Sequence, residues 1–489
     1  MKYPFLLSFT LAIGIALPAF AKNSLTLGMQ LEPPVLDPTA NAAAAVDEVV
    51  YANLFEGLTR FRPDGSIAPA LAKNWYTSND GLEYHFTLQE GVYFHDGAEF
   101  TAHDVKASLE RALGPESVNA QKQLFTGIKS IEVTGNHSLV IRLKTPDADF
   151  PTNLAWGDAI IMDSENFATA ATHPNGTGPF KFESWQRGQA VTLIRNETYW
   201  GKKPTLSKAT FSFIQDPNAA FAALKSGRID AFSAYPSPET LSLFEKDPDF
   251  EVLIGSTEGE TIMAMNNARI PFSDVRIRRA INYALNREDI IKGAMLGYGV
   301  PIGSHFAPHH PDYVDLTQRY PHNLSKAHAL LVEAGYPKGF DAELILPPAD
   351  YARKSGEIIV EQLGKIGIKV RISNVAWAQW LEQVFRGHNY DMTIVSHTEP
   401  MDIGIYARDQ YYFNYDSDAI KTLINTAENT THPQERSKAL QAAQKRIAED
   451  AVNVFLFQRT KATVLKTGLK GLWADAPTQA NDITGVYWD

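Results

Sequence analysis

The spacing of apolar and polar residues predicts helix–strand units along much of the chain. In the segment from Asp216 to Phe232, Asp216 can cap a helix that begins at Pro217. Gly227 then ends the helix, and Ile229 to Phe232 forms the next strand. The same order recurs in residues 356–373 and 377–396, where Gly367 and Gly387 are the glycines that end the helices. Helices that alternate with strands in this way predict α/β layers.

Residues 82–145 follow a different pattern. Tyr84, Phe86 and Leu88 alternate with polar residues, and two further strand-like runs flank Gly135-Asn136. We therefore expect a sheet-rich segment early in the chain.

The stretch "GVYFHDGAEFTAHDV" places two histidines and two aspartates within ten residues. Asp96-Gly97 is a turn dipeptide, and Thr101 with Asp104 forms the pattern of a capping box at the start of a helix. Because a turn separates His95 from His103, their spacing does not bring them onto one face. We expect local backbone roles here, since a metal site needs three or four converging ligands.

Composition is that of a soluble globular protein of two or three domains, with 489 residues, 44% hydrophobic and 21% charged. There is no cysteine, which excludes disulfides, thiolate metal sites and an acylated N-terminal cysteine. Without residues 1–21, which hold one basic and no acidic residue, the chain has 44 basic and 56 acidic residues, a formal charge of −12. We expect neither nucleic acid nor an anionic membrane as a partner.

Residues 1–21 have the pattern of a secretory signal peptide. Lys2 precedes an apolar run from Phe5 to Leu17, and Ala19-Phe20-Ala21 is a small-x-small cleavage site. The run is shorter than a membrane span requires, so we expect cleavage and no stable membrane insertion.

Motifs of catalysis are absent from the sequence, including His-Glu-x-x-His, Gly-x-Ser-x-Gly and the phosphate-binding loop. The segment "SHFAPHHPDY" groups His305, His309 and His310. Its prolines predict a rigid surface loop, and a metal role for the histidines stays open. We predict no cofactor, no metal site and no catalytic residue.

The run "IAPALAKNWYTSNDGLEYHFTLQEGVYFHDGAEFTAHDVKASLERAL" resembles the family of extracellular solute-binding proteins that serve peptide, nickel and haem ABC importers. Three further blocks agree in the expected order: "GTGPFKFESWQRGQAVTLIRNETYWGKKP", "MNNARIPFSDVRIRRAINYALNREDII" and residues 325–390. The resemblance implies an α/β fold of the periplasmic binding protein type, with two lobes and an extra domain inserted in the first. It also implies binding without catalysis.

The same resemblance implies domain boundaries. Domain I takes residues 22–50, 171–265 and 465–489, domain II is the insert 51–170, and domain III, the second lobe, takes residues 266–464.

It also implies a set of ligand-binding residues. Arg353 falls where dipeptide-binding relatives hold the peptide carboxylate, and Ser396 falls where they carry the aspartate that pairs with the peptide ammonium. A serine cannot neutralise a buried ammonium, so dipeptide recognition of the usual kind requires Glu399 or Asp402 as a substitute.

Aromatic residues extend this set. Trp377 can stack on a ligand, Tyr406, Tyr411 and Tyr412 can line a side-chain pocket, and His397 can contact a metal chelate or haem. Each of these also suits a structural role. Thr177 and Gly178 fit a backbone turn.

We therefore predict a monomeric periplasmic component of an ABC importer, which captures a peptide or peptide-like molecule and delivers it to a membrane permease. The alternative is a non-peptide ligand on the same fold, such as a metal chelate, haem, glutathione or an amino-acid conjugate. A secreted hydrolase and a receptor for a sensor kinase are hypotheses from other classes.

Overall fold

The computed structural model describes residues 22–40, 43–398 and 402–489. The predicted signal peptide, residues 1–21, and the candidate ligand residue Glu399 lie outside the described residues.

The described chain alternates helices and strands over most of its length. The helices are α1 (Ala44–Val50), α2 (Ala102–Leu113), α3 (Phe150–Asn153), α4 (Pro217–Lys225), α5 (Leu241–Glu245), α6 (Val275–Ala284), α7 (Arg287–Ala294), α8 (Leu324–Glu333), α9 (Asp350–Gly364), α10 (Trp377–Trp380), α11 (Asp418–Asn429) and α12 (Pro433–Glu449).

The strands are β1 (Ser24–Met29), β2 (Thr59–Phe61), β3 (Ile67–Pro69), β4 (Ala72–Thr77), β5 (Glu83–Leu88), β6 (Ile128–Gly135), β7 (Ser138–Leu143), β8 (Phe180–Gln186), β9 (Ala190–Arg195), β10 (Lys208–Phe213), β11 (Ala231–Phe232), β12 (Phe250–Met265), β13 (Gly299–Pro301), β14 (Asp341–Leu346), β15 (Lys369–Asn374), β16 (Met392–His397), β17 (Asn453–Lys466), β18 (Leu469–Lys470) and β19 (Tyr487–Trp488).

The largest sheet described is mixed and has the strand order β15-β14-β16-β12-β17-β11-β1-β10-β9-β8, with β13 paired to β17. Strands β12 and β17 stand at its centre and pair antiparallel from Phe250 opposite Lys466 to Ala264 opposite Asn453. Their register shifts between Ser256 and Glu260. The two long strands therefore link two half-sheets, each with its own hydrophobic cores.

The sheet-rich segment predicted for residues 82–145 is confirmed as part of a separate antiparallel sheet, in the order β4-β5-β7-β6. Helix α2 begins with the predicted capping box, in which Thr101 accepts from the His103 backbone N–H and Asp104 accepts from the Thr101 N–H. His103 is exposed, and the partly buried His95 ring contacts the Gly178 carbonyl oxygen at 3.0 Å. The structure thus separates the two histidines.

The predicted helix–strand units are confirmed, with differences at their ends. Asp216 accepts from the Ala219 N–H at 2.7 Å, and Gly227 has a φ of +73°. Strand β11 is shorter than predicted, at Ala231–Phe232. Helix α10 continues as a π-helical segment over Leu381–Arg386, and the residue with positive φ after it is His388, not Gly387.

The architecture is the mixed α/β, two-lobed arrangement that we expected, while the domain boundaries stay a prediction. Within the described ranges, no helix combines the length and apolarity that a membrane crossing requires.

Gly255 provides a test of the crossing between the half-sheets. A Cβ at this position would lie 2.0 Å from the carbonyl oxygen of Ala474, where the C-terminal segment crosses β12. We expect Gly255→Ala to lower the free energy of unfolding by about 1–3 kcal/mol, because the clash is with backbone that cannot give way cheaply. Urea unfolding measures the change.

Gly364→Ala is the matched control, since a Cβ there meets nothing within 4 Å and α9 ends at this residue. Its free energy of unfolding should stay within about 0.5 kcal/mol of the parent. Equal effects of the two substitutions would contradict the tight crossing at Gly255.

Candidate functional site

The candidate site lies at the carboxyl edge of three strands of the second half-sheet. Strand β14 runs parallel to both β15 and β16, so the three strands end at the same edge of the sheet. Helix α9 follows β14, Trp377 follows β15, and Ser396 and His397 end β16. Ligands of open α/β sheets bind in the crevice outside the carboxyl ends of the strands.

Arg353 occupies the first turn of α9 and is half-buried. Its Nε is enclosed and has no hydrogen-bond partner among the described residues. A guanidinium can bind a carboxylate through two parallel hydrogen bonds, and an enclosed donor without a partner costs free energy until it is satisfied. Arg353 is therefore suited to holding an acidic group.

Ser396 is tied to α9 through its backbone. Its N–H donates to the Tyr351 hydroxyl oxygen at 3.0 Å, while its own Oγ is enclosed and without a partner among the described residues. Thr261 lies directly opposite on β12, and its buried Oγ1 is likewise unpaired. The Arg459 guanidinium lies 5.4 Å from the centre of the Tyr351 ring.

An exposed apolar stripe borders this edge. Trp377, Leu381 and Phe385 follow one another at helical spacing and are 43%, 39% and 37% exposed. Trp377 packs edge-on against Trp380, whose Nε1–H donates to Thr393 at 2.9 Å and fixes the base of the stripe. Such a surface can pack against the apolar part of a ligand.

His397 and Asp402 belong to a buried polar network behind this edge. The His305 ring lies between two carboxylates, with Nδ1 2.5 Å from Glu260 Oε1 and Nε2 2.6 Å from Asp402 Oδ1. The other Asp402 oxygen is 3.3 Å from His397 Nδ1, and His397 Nε2 is 3.1 Å from the Tyr412 hydroxyl. Glu260, His305 and Asp402 each place one donor atom within 4.8 Å of the others, a spacing compatible with a metal ion.

Charge explains the protonation of this network. Burial alone lowers the pKa of His305, but the attraction of Glu260 and Asp402 outweighs it and raises that pKa to about 10. Burial raises the pKa of Glu260 to about 7, whereas the two histidines hold the pKa of Asp402 well below its usual range. The raised pKa of His305 and the lowered pKa of Asp402 favour an imidazolium paired with the Asp402 carboxylate, with Glu260 on the other ring nitrogen.

The prediction of a surface loop around His305 is wrong. Residues 302–307 are buried, because Ile302 and Phe306 pack into the core beside β16. His309 contacts Glu258 at 2.6 Å and the Ser256 hydroxyl at 2.6 Å. Glu260 was not among the predicted site residues, because nothing in the local pattern of β12 marks it and only the fold brings it to His305.

The predicted pocket tyrosines lie mostly in the core. Tyr406 is 1% exposed, and its hydroxyl accepts from the Asn453 side-chain amide at 3.1 Å. Tyr412 is equally buried and stacks on His397, whereas Tyr411 is partly exposed. Thr177 is fully buried and donates to Glu56 at 2.8 Å, and the Gly178 N–H donates to the Leu54 carbonyl oxygen.

Comparison with known families decides the identity. The sequence model of the bacterial extracellular solute-binding proteins, family 5 (middle), matches residues 66–419. The chain belongs to this family. It is therefore a solute-binding component of an ABC importer.

Alignments with individual relatives span most of this family 5 protein. It is 32% identical over 365 residues to the glutathione-binding protein GsiB of Salmonella typhi, covering 73% of this chain and 70% of GsiB. It is 30% identical over 367 residues to heme-binding protein A of Haemophilus influenzae, covering 68% and 67%. The solved structure of AgaA from A. tumefaciens R10 in complex with agropinic acid is 28% identical, with a TM-score of 0.71 over 95% of this chain and 99% of AgaA.

The buried network of this family 5 protein predicts a pH-dependent stability. We expect His305→Gln to lower the free energy of unfolding by about 3 kcal/mol at pH 6.5, because the buried Asp402 carboxylate loses the imidazolium that neutralises it. The contribution of His305 is complete below pH 6.5, its unfolded pKa, and is lost as pH rises towards 10, its folded pKa. Chemical unfolding at pH 6.5 and at about pH 9.5 should show that the difference in free energy of unfolding between the parent and His305→Gln is smaller at the higher pH.

The exposed His103 offers the control, and His103→Gln should leave stability unchanged at both pH values. A gap between parent and His305→Gln that is constant across this pH range would refute the imidazolium assignment.

Proposed function

We propose that this protein captures a peptide or peptide-like carboxylate in the periplasm and delivers it to a membrane permease. The main support for this proposal is the side chain of Arg353 at the carboxyl edge of β14–β16. It is half-buried, and its enclosed Nε lacks a hydrogen-bond partner among the described residues. A carboxylate supplies the missing acceptor and, because it is charged, strengthens the bond.

Binding of such a ligand favours closure of the two lobes. A ligand between lobes contacts both, so it stabilises the closed state by the difference between its affinities for the closed and open forms. Rotation about the β12 and β17 crossings accommodates the movement. No covalent chemistry enters this cycle, and the proposed protein is a monomeric binder without catalysis.

The domain organisation proposed for this cycle places residues 22–50, 171–265 and 465–489 in domain I, 51–170 in domain II and 266–464 in domain III. The β4–β7 sheet falls within domain II, and the candidate site falls within domain III except for Glu260 and Thr261, which these bounds place in domain I. Secretion through cleavage after residue 21 would bring the protein to the periplasm.

A ligand that is not an ordinary dipeptide is the second candidate. It is favoured by Ser396, a neutral side chain, and by Asp402, whose carboxylate is already paired with His305 and His397. Neither residue offers a free negative charge to an α-ammonium. Agropinic acid, named for one relative, is a carboxylate-bearing conjugate; glutathione, named for another, bears two carboxylates and also an α-ammonium.

Native mass spectrometry of protein purified without refolding tests the proposal directly. We expect a co-purified species whose mass fits a peptide-like acid, and a smaller radius of gyration by X-ray scattering when glutathione or a dipeptide panel is added. Chemical alteration of the bound species would contradict a binding role, as would scattering that no panel member changes.

Arg353→Gln should weaken binding of glutathione, or of whichever panel member binds, by about tenfold to a hundredfold, because one charge-assisted bidentate contact is lost. Isothermal titration measures the affinity. The control is Arg371→Gln on β15, whose side chain is 71% exposed and paired with Glu343. Equal affinity of both variants would remove Arg353 from the site.

A further inference from the structure

A second polar subsite adjoins α9, the helix that carries Arg353, and is formed by Thr261, Tyr351, Ser396 and Arg459. We propose that this subsite binds an anionic group of the ligand, so that the solute is an acid with at least two negative groups and no ammonium at this end. The inference rests on the proposed function and narrows its ligand class.

Sheet geometry places these residues on one face. Ser396 on β16 and Phe457 on β17 both lie opposite Thr261, and residues opposite each other in a sheet share a face. Arg459 stands two residues beyond Phe457 and so points to the same side. Its contact with the Tyr351 ring, and the bond from Ser396 N–H to the Tyr351 oxygen, join α9 to the same group.

The subsite contains hydroxyl groups without partners. Among the described residues, none hydrogen-bonds to Thr261 Oγ1 or Ser396 Oγ, and Thr261 is 0% exposed. The Ser355 Oγ of α9 is likewise buried and unpaired. Buried hydroxyls are normally satisfied, and each of these can donate a hydrogen bond to a negatively charged oxygen.

The charge of the subsite is positive. Arg459 is exposed and forms no ion pair with any carboxylate that the structure describes. The two nearest glutamates in the β12 sequence are occupied elsewhere, Glu258 with His309 and Glu260 with His305. Glu260 also faces the opposite side of the sheet, because it alternates with Thr261.

Desolvation decides between an anion and an ammonium here. On closure, water leaves the subsite and charges interact more strongly, so an ammonium would meet a guanidinium without a compensating carboxylate. A carboxylate would instead gain the guanidinium and the free hydroxyl donors. The ligand class that fits both arginines is a polycarboxylate such as an N-acylated, acidic amino-acid or peptide conjugate.

The test uses matched pairs of dipeptides, each with a free amine and as its N-succinyl derivative, with glutathione as a further acid. We expect N-succinyl members to bind at least about tenfold more tightly by isothermal titration, and Arg459→Gln to remove that advantage. Arg459→Lys should restore part of it, and Arg371→Gln should change nothing. Thermal unfolding of each variant verifies that it is folded.

Ser396→Asp is the reciprocal variant, because it places a carboxylate beside Arg459 and should shift the preference towards the free amines. Tighter binding of free amines than of N-succinyl derivatives by the parent protein would overturn the inference. Loss of that preference in Glu399→Gln would then assign the ammonium contact to Glu399. An unchanged preference in Arg459→Gln, or no binding of any acid in the panel, would also overturn it.

These outcomes separate the two proposals. Lobe closure on a free-amine dipeptide alone would leave the proposed function standing and the anionic subsite refuted. Absence of closure with every compound would count against both.

Discussion

The antiparallel pairing of β12 with β17 is the constraint on which the rest of the molecule depends. These strands are 16 and 14 residues long and cross from one half-sheet into the other. Their ladder shifts register between Ser256 and Glu260, where backbone groups bond instead to the C-terminal segment through Asp475 and Ala476. A second register shift follows between Thr261 and Ile262, so the regular ladder on either side of this irregular stretch belongs to a different half-sheet.

Sequence reasoning succeeded where the controlling interactions are local. Thr101 and Asp104 cap α2 as predicted, and Asp216 caps α4, because a capping bond spans only two or three residues. The choice of Arg353 as a candidate carboxylate-binding residue came from the family resemblance and not from its spacing, and this role stays a prediction. Glu260 and Arg459 were missed because they meet their partners, His305 and Tyr351, only after the sheet has formed.

The His305 network illustrates how a buried charge constrains a binding edge. An imidazolium between Glu260 and Asp402 connects β12, the segment after β13 and the 3₁₀ helix Asp402–Ala407. Removing His305 leaves the acidic side chains of Glu260 and Asp402 without the cation between them, so its two ion pairs hold the three segments together. His397, at the end of β16, is coupled to the same group through Asp402. The segments that support the candidate site are therefore held in place by ion pairs that require His305 to be protonated.

The polar residues of β12 and β16 are divided between the two faces of the sheet, and the proposed selectivity depends on this division. On one face, Glu260 is paired with His305, and Asp402 is paired with both His305 and His397. Among the described residues of that network, each acidic side chain therefore already has a histidine partner. On the other, Thr261 and Ser396 present unpaired hydroxyls near Arg459. Alternation along a strand thus separates the buried carboxylates from the crevice by a single residue. A ligand in the proposed subsite would meet positive charge and hydroxyl donors, while the acidic side chains of Glu260 and Asp402 lie on the other side of the sheet.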